Sequence, residues 1–333
     1  MSSIGVGVVG CGFVGRGAHV PAFHAIEGAE LVAVADPDAK RLGKVAKKYE
    51  PKATYTDFAD LVQDSKVDAV VVSAPTPLHA KASMAAIEAG KHVLCEMPLA
   101  ASLEEADQLI DAAEKAGVVL MPSLTFRFTP NYVKAKEMIA DGAVGTPTSF
   151  MYREWIAAKD LAAQWPAGSW MWNLEASGGP LYTLSVWSID LMRWLLESEV
   201  AEIHAATKYT TLDKFGGTLG YDASASLRMA SGVVCCLQYS GSVNSAASTS
   251  RMEVVGDSNC LVDATWNDTV TLFDDDPART EWKVGQKGPR MWGHLMQDEH
   301  FVKCLQEGTA PSITPLDGRR AMEVALEIGT ATG

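Results

Sequence analysis

Hydrophobic and polar positions in the first third of the chain alternate between two periods. Short apolar runs at Ile4 to Gly10, Ala29 to Asp36, Ala69 to Ser73, His92 to Cys95 and Val118 to Pro122 predict strands. Between them, Lys40 to Tyr49, Ala80 to Ala89 and Leu103 to Ala116 carry apolar residues three and four apart with charges between, as amphipathic crossover helices do. Gly90 marks a helix stop, and Ser102 with Glu105 three residues on forms a capping box. This alternation predicts an α/β unit, a parallel sheet with helices on both faces joined by right-handed crossovers.

From about Gly145 the period shortens to that of strands. Thr146 to Trp155, Ala201 to Lys208, Ala223 to Met229, Val233 to Ser240, Arg251 to Gly256 and Thr269 to Phe273 read as longer strands, with turn residues such as Ala230-Ser231-Gly232 between them. They predict an open, mostly antiparallel sheet. A long helix, Leu181 to Leu196, interrupts them, and its expected core face is Leu184, Trp187, Leu191, Trp194 and Leu195. Two helices close the chain, Leu295 to Glu307 and Leu316 to Ile328. The expected organisation is a parallel α/β domain over 1–123 and a second, mostly antiparallel domain over 124–333, its last helices able to pack back on the first.

Composition narrows the class. A chain of 333 residues, 47% hydrophobic, has apolar material for two cores. The formal charge of -13 argues against sequence-independent binding to nucleic acid or anionic lipid. No apolar run approaches the roughly 20 residues that span a bilayer, and no leader pattern precedes the first strand. The six cysteines, Cys11, Cys95, Cys235, Cys236, Cys260 and Cys304, lack the C-x-x-C spacing of a zinc or redox site. We expect no metal, reduced thiols and a cytoplasmic location.

The first candidate chemistry is Gly10-Cys11-Gly12-Phe13-Val14-Gly15, a G-x-G-x-x-G turn between a strand and a helix. Gly10 permits the sharp turn, Gly12 lets backbone approach a pyrophosphate, Gly15 lets helix and strand pack closely, and the helix N-terminus favours an anion. Asp36 closes the second strand 21 residues after Gly15, where a carboxylate accepts from ribose hydroxyls and repels a 2'-phosphate. NAD is therefore expected in preference to NADP, although Lys40 and Arg41 lie nearby. The alternative for Asp36 is an ordinary turn residue before Pro37.

These residues, with Ala74-Pro75-Thr76-Pro77-Leu78-His79, the run Glu88 to Pro98 that ends in Cys95-Glu96-Met97-Pro98, and Met252-Glu253-Val254-Val255-Gly256-Asp257, resemble the glucose-fructose oxidoreductase, inositol dehydrogenase and MocA (Gfo/Idh/MocA) family over nearly the whole chain. The resemblance implies hydride transfer between NAD(P) and a sugar, polyol or related carbonyl. It also implies a dimer or tetramer assembled through the C-terminal sheet. It adds Thr76, His79, Glu96 and Met97 to the cofactor-binding set of Gly10, Gly12, Phe13, Val14, Gly15 and Asp36.

It also implies a catalytic lysine, aspartate and histidine at positions that here are Met97, Thr183 and Trp187. None of these side chains accepts a proton near neutral pH, a role that general acid/base groups fill. Tyr182, beside Thr183, and His79 are the ionisable candidates nearest those positions. Their alternatives are a packed tyrosine at a helix start and a framework histidine. Asp190, also retained, more often supports structure than reacts.

Trp155, Trp165, Trp170, Trp172, Trp187 and Trp194 fall within 40 residues, six of the nine tryptophans. The first five outline an expected cleft, since flat indole faces suit sugar rings, aromatic groups or cations. The alternative is that they fasten a loop to the sheet. Three functional readings stay open: an oxidoreductase with a non-standard catalytic set, a silent cofactor-binding sensor or assembly partner, and an enzyme using tightly bound NAD transiently.

Overall fold

The computed structural model describes residues 3–265, 269–276, 279–284 and 291–331; the expected outer domain bounds 1 and 333 lie outside them. The chain divides into two units, Met1–Thr125 with Lys287–Arg320, and Phe126–Gln286 with Ala321–Gly333.

In the first unit the elements follow as β1 (Ile4–Val9), α1 (Val20–Ala25), β2 (Ala29–Ala35), α2 (Ala39–Tyr49), β3 (Ala53–Tyr55), α3 (Phe58–Leu61), β4 (Ala69–Val72), α4 (His79–Glu88), β5 (His92–Cys95), α5 (Leu103–Ala116) and β6 (Leu120–Pro122). The sheet order is β3-β2-β1-β4-β5-β6 and every pairing is parallel, the doubly wound order whose direction reverses between β1 and β4. Val70, Val71 and Val72 of β4 are fully buried, as a strand covered on both faces requires. The expected capping box at α5 forms in part: Ser102 Oγ accepts from Glu105 N (3.2 Å), while the Glu105 carboxylate accepts from Ala101 N (3.2 Å), one residue before the N-cap rather than from Ser102 N. Sequence patterning passed over β3 and α3, which are too short to establish a period.

Helix entry after the glycine turn departs from the expected regular start. Gly15–His19 form a π-turn, closed by Val20 N–H donating to Gly15 O. Pro21 follows at once and has no N–H to give, so the helical ladder is already broken there.

The second unit carries α6 (Pro130–Ala140), β7 (Pro147–Ala157), α7 (Ala158–Gln164), α8 (Leu174–Ser177), α9 (Gly179–Leu196), β8 (Val200–Leu212), β9 (Thr218–Met229), β10 (Val234–Val243), β11 (Thr249–Gly256), β12 (Leu261–Thr265), β13 (Thr269–Phe273) and β14 (Thr280–Lys283). Its eight-stranded sheet runs β14-β13-β12-β11-β7-β10-β9-β8, antiparallel except where β7 pairs with β10. Sequence reading passed over α6, α7, α8, β12 and β14. Phe150, Tyr152, Leu237, Tyr239, Met252 and Val254 form the buried face, against which α9 packs. On the other face Met151, Val234 and Val255 are exposed, and Arg153 stacks 4.8 Å over Trp155.

The expected core face of α9 is corrected at three of its five positions. Leu191 and Leu195 are buried as expected, but Leu184, Trp187 and Trp194 are only half-buried, whereas Leu181, Ser185, Ser188, Ile189 and Met192 are buried. Small hydroxyl residues let the helix sit close to the sheet, and a search for hydrophobic spacing discounts them.

The chain then continues into α10 (His294–Glu307) and α11 (Pro315–Thr330), which passes from the first unit to the second after Arg320. Among the described residues no helix is long and apolar enough to cross a membrane.

Candidate functional site

The glycine turn shows three different constraints. Gly10 has φ +99°, and a Cβ there would lie 2.5 Å from Ser73 O. A Cβ on Gly15 would lie 1.9 Å from Gly10 O and 2.6 Å from Ser73 Oγ, so turn and helix are in backbone contact. A Cβ on Gly12 would meet nothing within 4 Å. Two glycines are therefore required by the protein itself, while the third leaves open space beside the chain. The backbone at Gly12 is therefore open to close approach from outside the chain.

Asp36 is buried at the end of β2. Its Oδ2 accepts from Cys11 N (2.7 Å) and its Oδ1 from Asp38 N (2.8 Å), so the carboxylate shapes the glycine turn directly. Each oxygen has a second lone-pair direction, which a ribose hydroxyl can use. Asp38 caps α2 through Lys40 N and Arg41 N. Thr76, 1% exposed after β4, has a buried hydroxyl oxygen with no hydrogen-bond partner. Phe13 is exposed at 38% and its ring centroid lies 6.0 Å from that of Trp292.

His79 is held between two carbonyls, with Nδ1 2.6 Å from Pro98 O and Nε2 2.7 Å from Ala74 O. Burial lowers its pKa, outweighing these two bonds. Its geometry joins the loop after β4 to the loop after β5, and both ring nitrogens are occupied in doing so.

Glu96 is the centre of a buried polar network. Its Oε1 lies 2.9 Å from His19 Nε2, 3.1 Å from His294 Nε2 and 2.6 Å from Ser123 Oγ; its Oε2 accepts from Met97 N (3.3 Å). His19 Nδ1 lies 2.9 Å from Asp298 Oδ2, and Gln297 Nε2 donates to Ser123 Oγ (2.9 Å). Burial alone would pull His19 down, but Asp298 and Glu96 outweigh it and hold the imidazolium up to about 10. Burial alone would push Glu96 up, yet the bonds from His19 and His294 hold it well below the usual carboxylate range. The ligand atoms of His19, Glu96 and His294 lie within 4.8 Å of one another, a spacing a metal ion could use. Here both imidazoles and the Ser123 hydroxyl meet on one oxygen at hydrogen-bond distance.

Sequence reading singled out Glu96 but passed over His19, His294 and Asp298. One signal was present, since His294 and Asp298 are four apart on one helix and thus share a face. Met97, beside Glu96, is 2% exposed.

In the second unit, Thr183 is 4% exposed and its hydroxyl oxygen has no hydrogen-bond partner. Tyr182 is fully buried, and Gly178 leaves room for its ring, since a Cβ there would lie 2.3 Å from Tyr182 Cδ1. Asp190 is fully buried and accepts from Arg127 at both oxygens (2.6 and 2.8 Å) and from Arg193 (3.3 Å).

The tryptophans do not all gather in one place. Trp172 Nε1 donates to Trp165 O (2.9 Å) and Pro166 O (3.2 Å), which fastens that loop. Trp172 also lines an open groove of about 520 Å³ with Ser169, Asn173, Leu174, Glu175 and Leu219. Trp155 instead lies on the exposed sheet face with Arg153. Trp170 and Trp187 are half-buried.

Residue Glu154, which sequence reading did not select, is a further ionisable group. It is 8% exposed on β7, Tyr152 Oη donates to its Oε2 (3.0 Å), and burial pushes its pKa up to about 7.

Comparison with known proteins bears on both units. Residues 4–124 match an oxidoreductase family model described as an NAD-binding Rossmann fold, and residues 132–262 match a GFO/IDH/MocA C-terminal domain. The chain is 27% identical over 327 residues to a myo-inositol 2-dehydrogenase of Thermotoga maritima, covering 95% of this chain and 92% of that protein. It is 32% identical over 263 residues to a 1,5-anhydro-D-fructose reductase of Ensifer adhaerens, covering 77% of this chain and 74% of that one. The crystal structure of GenD2 from gentamicin A biosynthesis, in complex with NAD, aligns with TM-score 0.83 and 26% identity over 98% of this chain and 93% of its own. With one family model on each unit and a relative of this identity over most of both chains, the protein belongs to the Gfo/Idh/MocA family of NAD(P)-dependent sugar- and inositol-type oxidoreductases.

Proposed function

We propose that the chain is an NAD-dependent oxidoreductase acting on a sugar-like, glycosidic or aromatic-bearing small molecule with a non-standard catalytic set. The observation that carries the cofactor half is the contrast among the glycines: Gly10 and Gly15 are closed in by backbone, and Gly12 faces open space. Gly10, Gly12, Phe13, Val14 and Gly15 would hold the pyrophosphate, with Thr76 beside it. Asp36, a carboxylate with lone pairs to spare, favours the ribose hydroxyls of NAD over a 2'-phosphate. The bound nicotinamide supplies a hydride acceptor or donor. On the substrate side, the indole face and polar rim of the Trp172 groove suit a ring with one apolar face.

The catalytic half rests on Met97, Thr183 and Trp187, which offer no group able to exchange a proton near neutrality. Burial of Met97 and the unpartnered Thr183 hydroxyl also favour a second reading, a silent cofactor-binding sensor or assembly partner. Calorimetric NAD titration, followed by absorbance of the reduced nicotinamide with polyols, sugars, keto-sugars and glycosides, separates them. Binding with hydride transfer supports the oxidoreductase. Tight binding with no turnover overturns it in favour of the sensor, and product without net reduction points to transient use of NAD.

The exposed sheet face with Met151, Val234 and Val255 is the surface we assign to a homodimer or homotetramer. Sedimentation of Val234→Arg, expected to give a smaller species than the parent, tests it. The six unpaired cysteines fit a reducing, cytoplasmic setting.

A further inference from the structure

Trp292 stands in a backbone conformation that its side chain does not favour. Its φ and ψ are 49° and 38°, and Gly293 follows with φ 82°, so two left-handed residues in succession lead into α10. A left-handed backbone crowds the Cβ against the carbonyl oxygen, and a bulky aromatic residue gains nothing local in exchange. Such conformations persist where the surrounding structure fixes them, and they cluster at functional sites.

The ring contacts show what the conformation achieves. The Trp292 indole lies 6.0 Å from the Phe13 ring, tilted by 45°, and 6.2 Å from the His294 imidazole, tilted by 51°. All three residues belong to the first unit. Phe13 follows Gly12 in the glycine turn and stays 38% exposed beside the open backbone there. His294 is buried, with Nε2 3.1 Å from Glu96 Oε1. The indole thus spans from the rim of the glycine turn toward the carboxylate that follows β5. It is half-buried, with a part of its surface left accessible.

The sheet order decides which part of a dinucleotide would reach this place. In the order β3-β2-β1-β4-β5-β6, Asp36 follows β2 on one side of β1, and Glu96 follows β5 on the other. With the adenosine ribose on Asp36 and the pyrophosphate at the glycine turn, the nicotinamide half extends toward β4 and β5. Trp292, joined through His294 to Glu96, is on that side. An accessible aromatic pair beside open backbone suits a flat ring, and an indole face attracts one that carries positive charge, as oxidised nicotinamide does.

We propose that Trp292, with Phe13 beside it, is the aromatic wall against which the nicotinamide ring of NAD packs. The proposal rests on the NAD-binding half of the reading above and needs no hydride transfer. Trp292 binds the part of the cofactor that reacts, while the glycine turn and Asp36 hold the part that anchors it. The wall therefore distinguishes a dinucleotide that carries its nicotinamide from one that has lost it, which a pyrophosphate site cannot do.

The test compares NAD with ADP-ribose, which keeps the pyrophosphate and both riboses and lacks the nicotinamide. In calorimetric titrations Trp292→Leu should weaken NAD about tenfold and leave ADP-ribose within about twofold of the parent, and Trp292→Phe should recover most of the NAD affinity. Equal losses for the two ligands, or no loss of NAD, overturn the proposal, because Trp292 is then a structural residue. A second measurement needs only the parent and the conservative variant. NAD should quench more tryptophan fluorescence than ADP-ribose does in the parent, and that excess should vanish in Trp292→Phe. An excess missing from the parent, or one that persists in Trp292→Phe, overturns the proposal alone. A parent that does not bind NAD overturns the cofactor reading and this one with it.

Discussion

Glu96 and Glu154 are both buried glutamates, one in each unit, and they titrate in opposite directions. Glu96 is 6% exposed and Glu154 is 8% exposed, and burial is the largest influence on both, pushing each carboxyl up. What differs is company. Glu96 meets two imidazoles, a hydroxyl and a backbone amide, which together hold it charged; Glu154 meets one tyrosine hydroxyl and rises to about 7. Partners, rather than depth, decide whether a buried carboxylate is a fixed charge or an exchangeable proton. Asp190 shows that the second unit can also fix a charge, since Arg127 and Arg193 surround it.

The comparison breaks most directly at Glu96. Glu96→Ala removes the carboxylate that meets His19 and His294, and should cost on the order of 3–5 kcal/mol in denaturant unfolding. If Glu154→Ala costs as much, partners do not explain the contrast.

Next comes pH, where the two sites act in different windows. Glu154 has a folded pKa of about 7 against an ordinary 4.5, so the native state binds more protons between those values. Stability should fall as pH rises through that window, and Glu154→Gln should flatten the fall, gaining on the order of 2 kcal/mol relative to the parent at pH 8. His19 is raised from 6.5 to about 10, so its contribution is complete below 6.5 and lost as pH climbs toward 10. Glu96 is depressed, so its contribution is present above 4.5 and lost on acidification. Unfolding free energies across pH for the parent and Glu154→Gln should differ in slope mainly below 7. Equal slopes there would count against a Glu154 pKa of about 7.

The glycines sharpen the comparison at smaller cost. Gly15→Ala forces a methyl toward Gly10 O and should destabilise by about 1–3 kcal/mol while weakening NAD binding. Gly12→Ala adds its methyl to open space. It should leave stability within about 0.5 kcal/mol and reduce NAD affinity about tenfold, measured by calorimetry. Equal NAD affinity in Gly12→Ala and the parent would show that the open space is not the pyrophosphate site. Restoring Met97→Lys, Thr183→Asp and Trp187→His together should add polyol dehydrogenase activity if only the acid/base set was changed; no gain in the reduced-nicotinamide assay would contradict that.

Legibility followed the length over which a physical rule repeats. The parallel sheet, its crossover helices and the glycine turn were readable because period, caps and turn residues agree within each short segment. The long strands of the second unit were readable for the same reason, but the parallel β7–β10 pair was not, because strand direction depends on what the intervening chain does. The core face of α9 was legible at Leu191 and Leu195 but misread at Leu184 and Trp187, because Ser185 and Ser188 pack on the sheet where hydrophobic spacing pointed to those larger residues. Half of the network around Glu96 was invisible, since His294 and Asp298 join it from almost 200 residues away.

By itself, then, the order of residues determined the strand and helix periods and the glycine turn with Asp36 at the end of the second strand. These are local properties of backbone conformation and residue type. Only the tertiary structure decided that Asp36 bonds the glycine turn itself, that Glu96 is locked between imidazoles, and that Glu154 is left with one partner. Hydration lost on burial, and the partners that replace it, are set by segments far apart in the chain, and no local pattern records them.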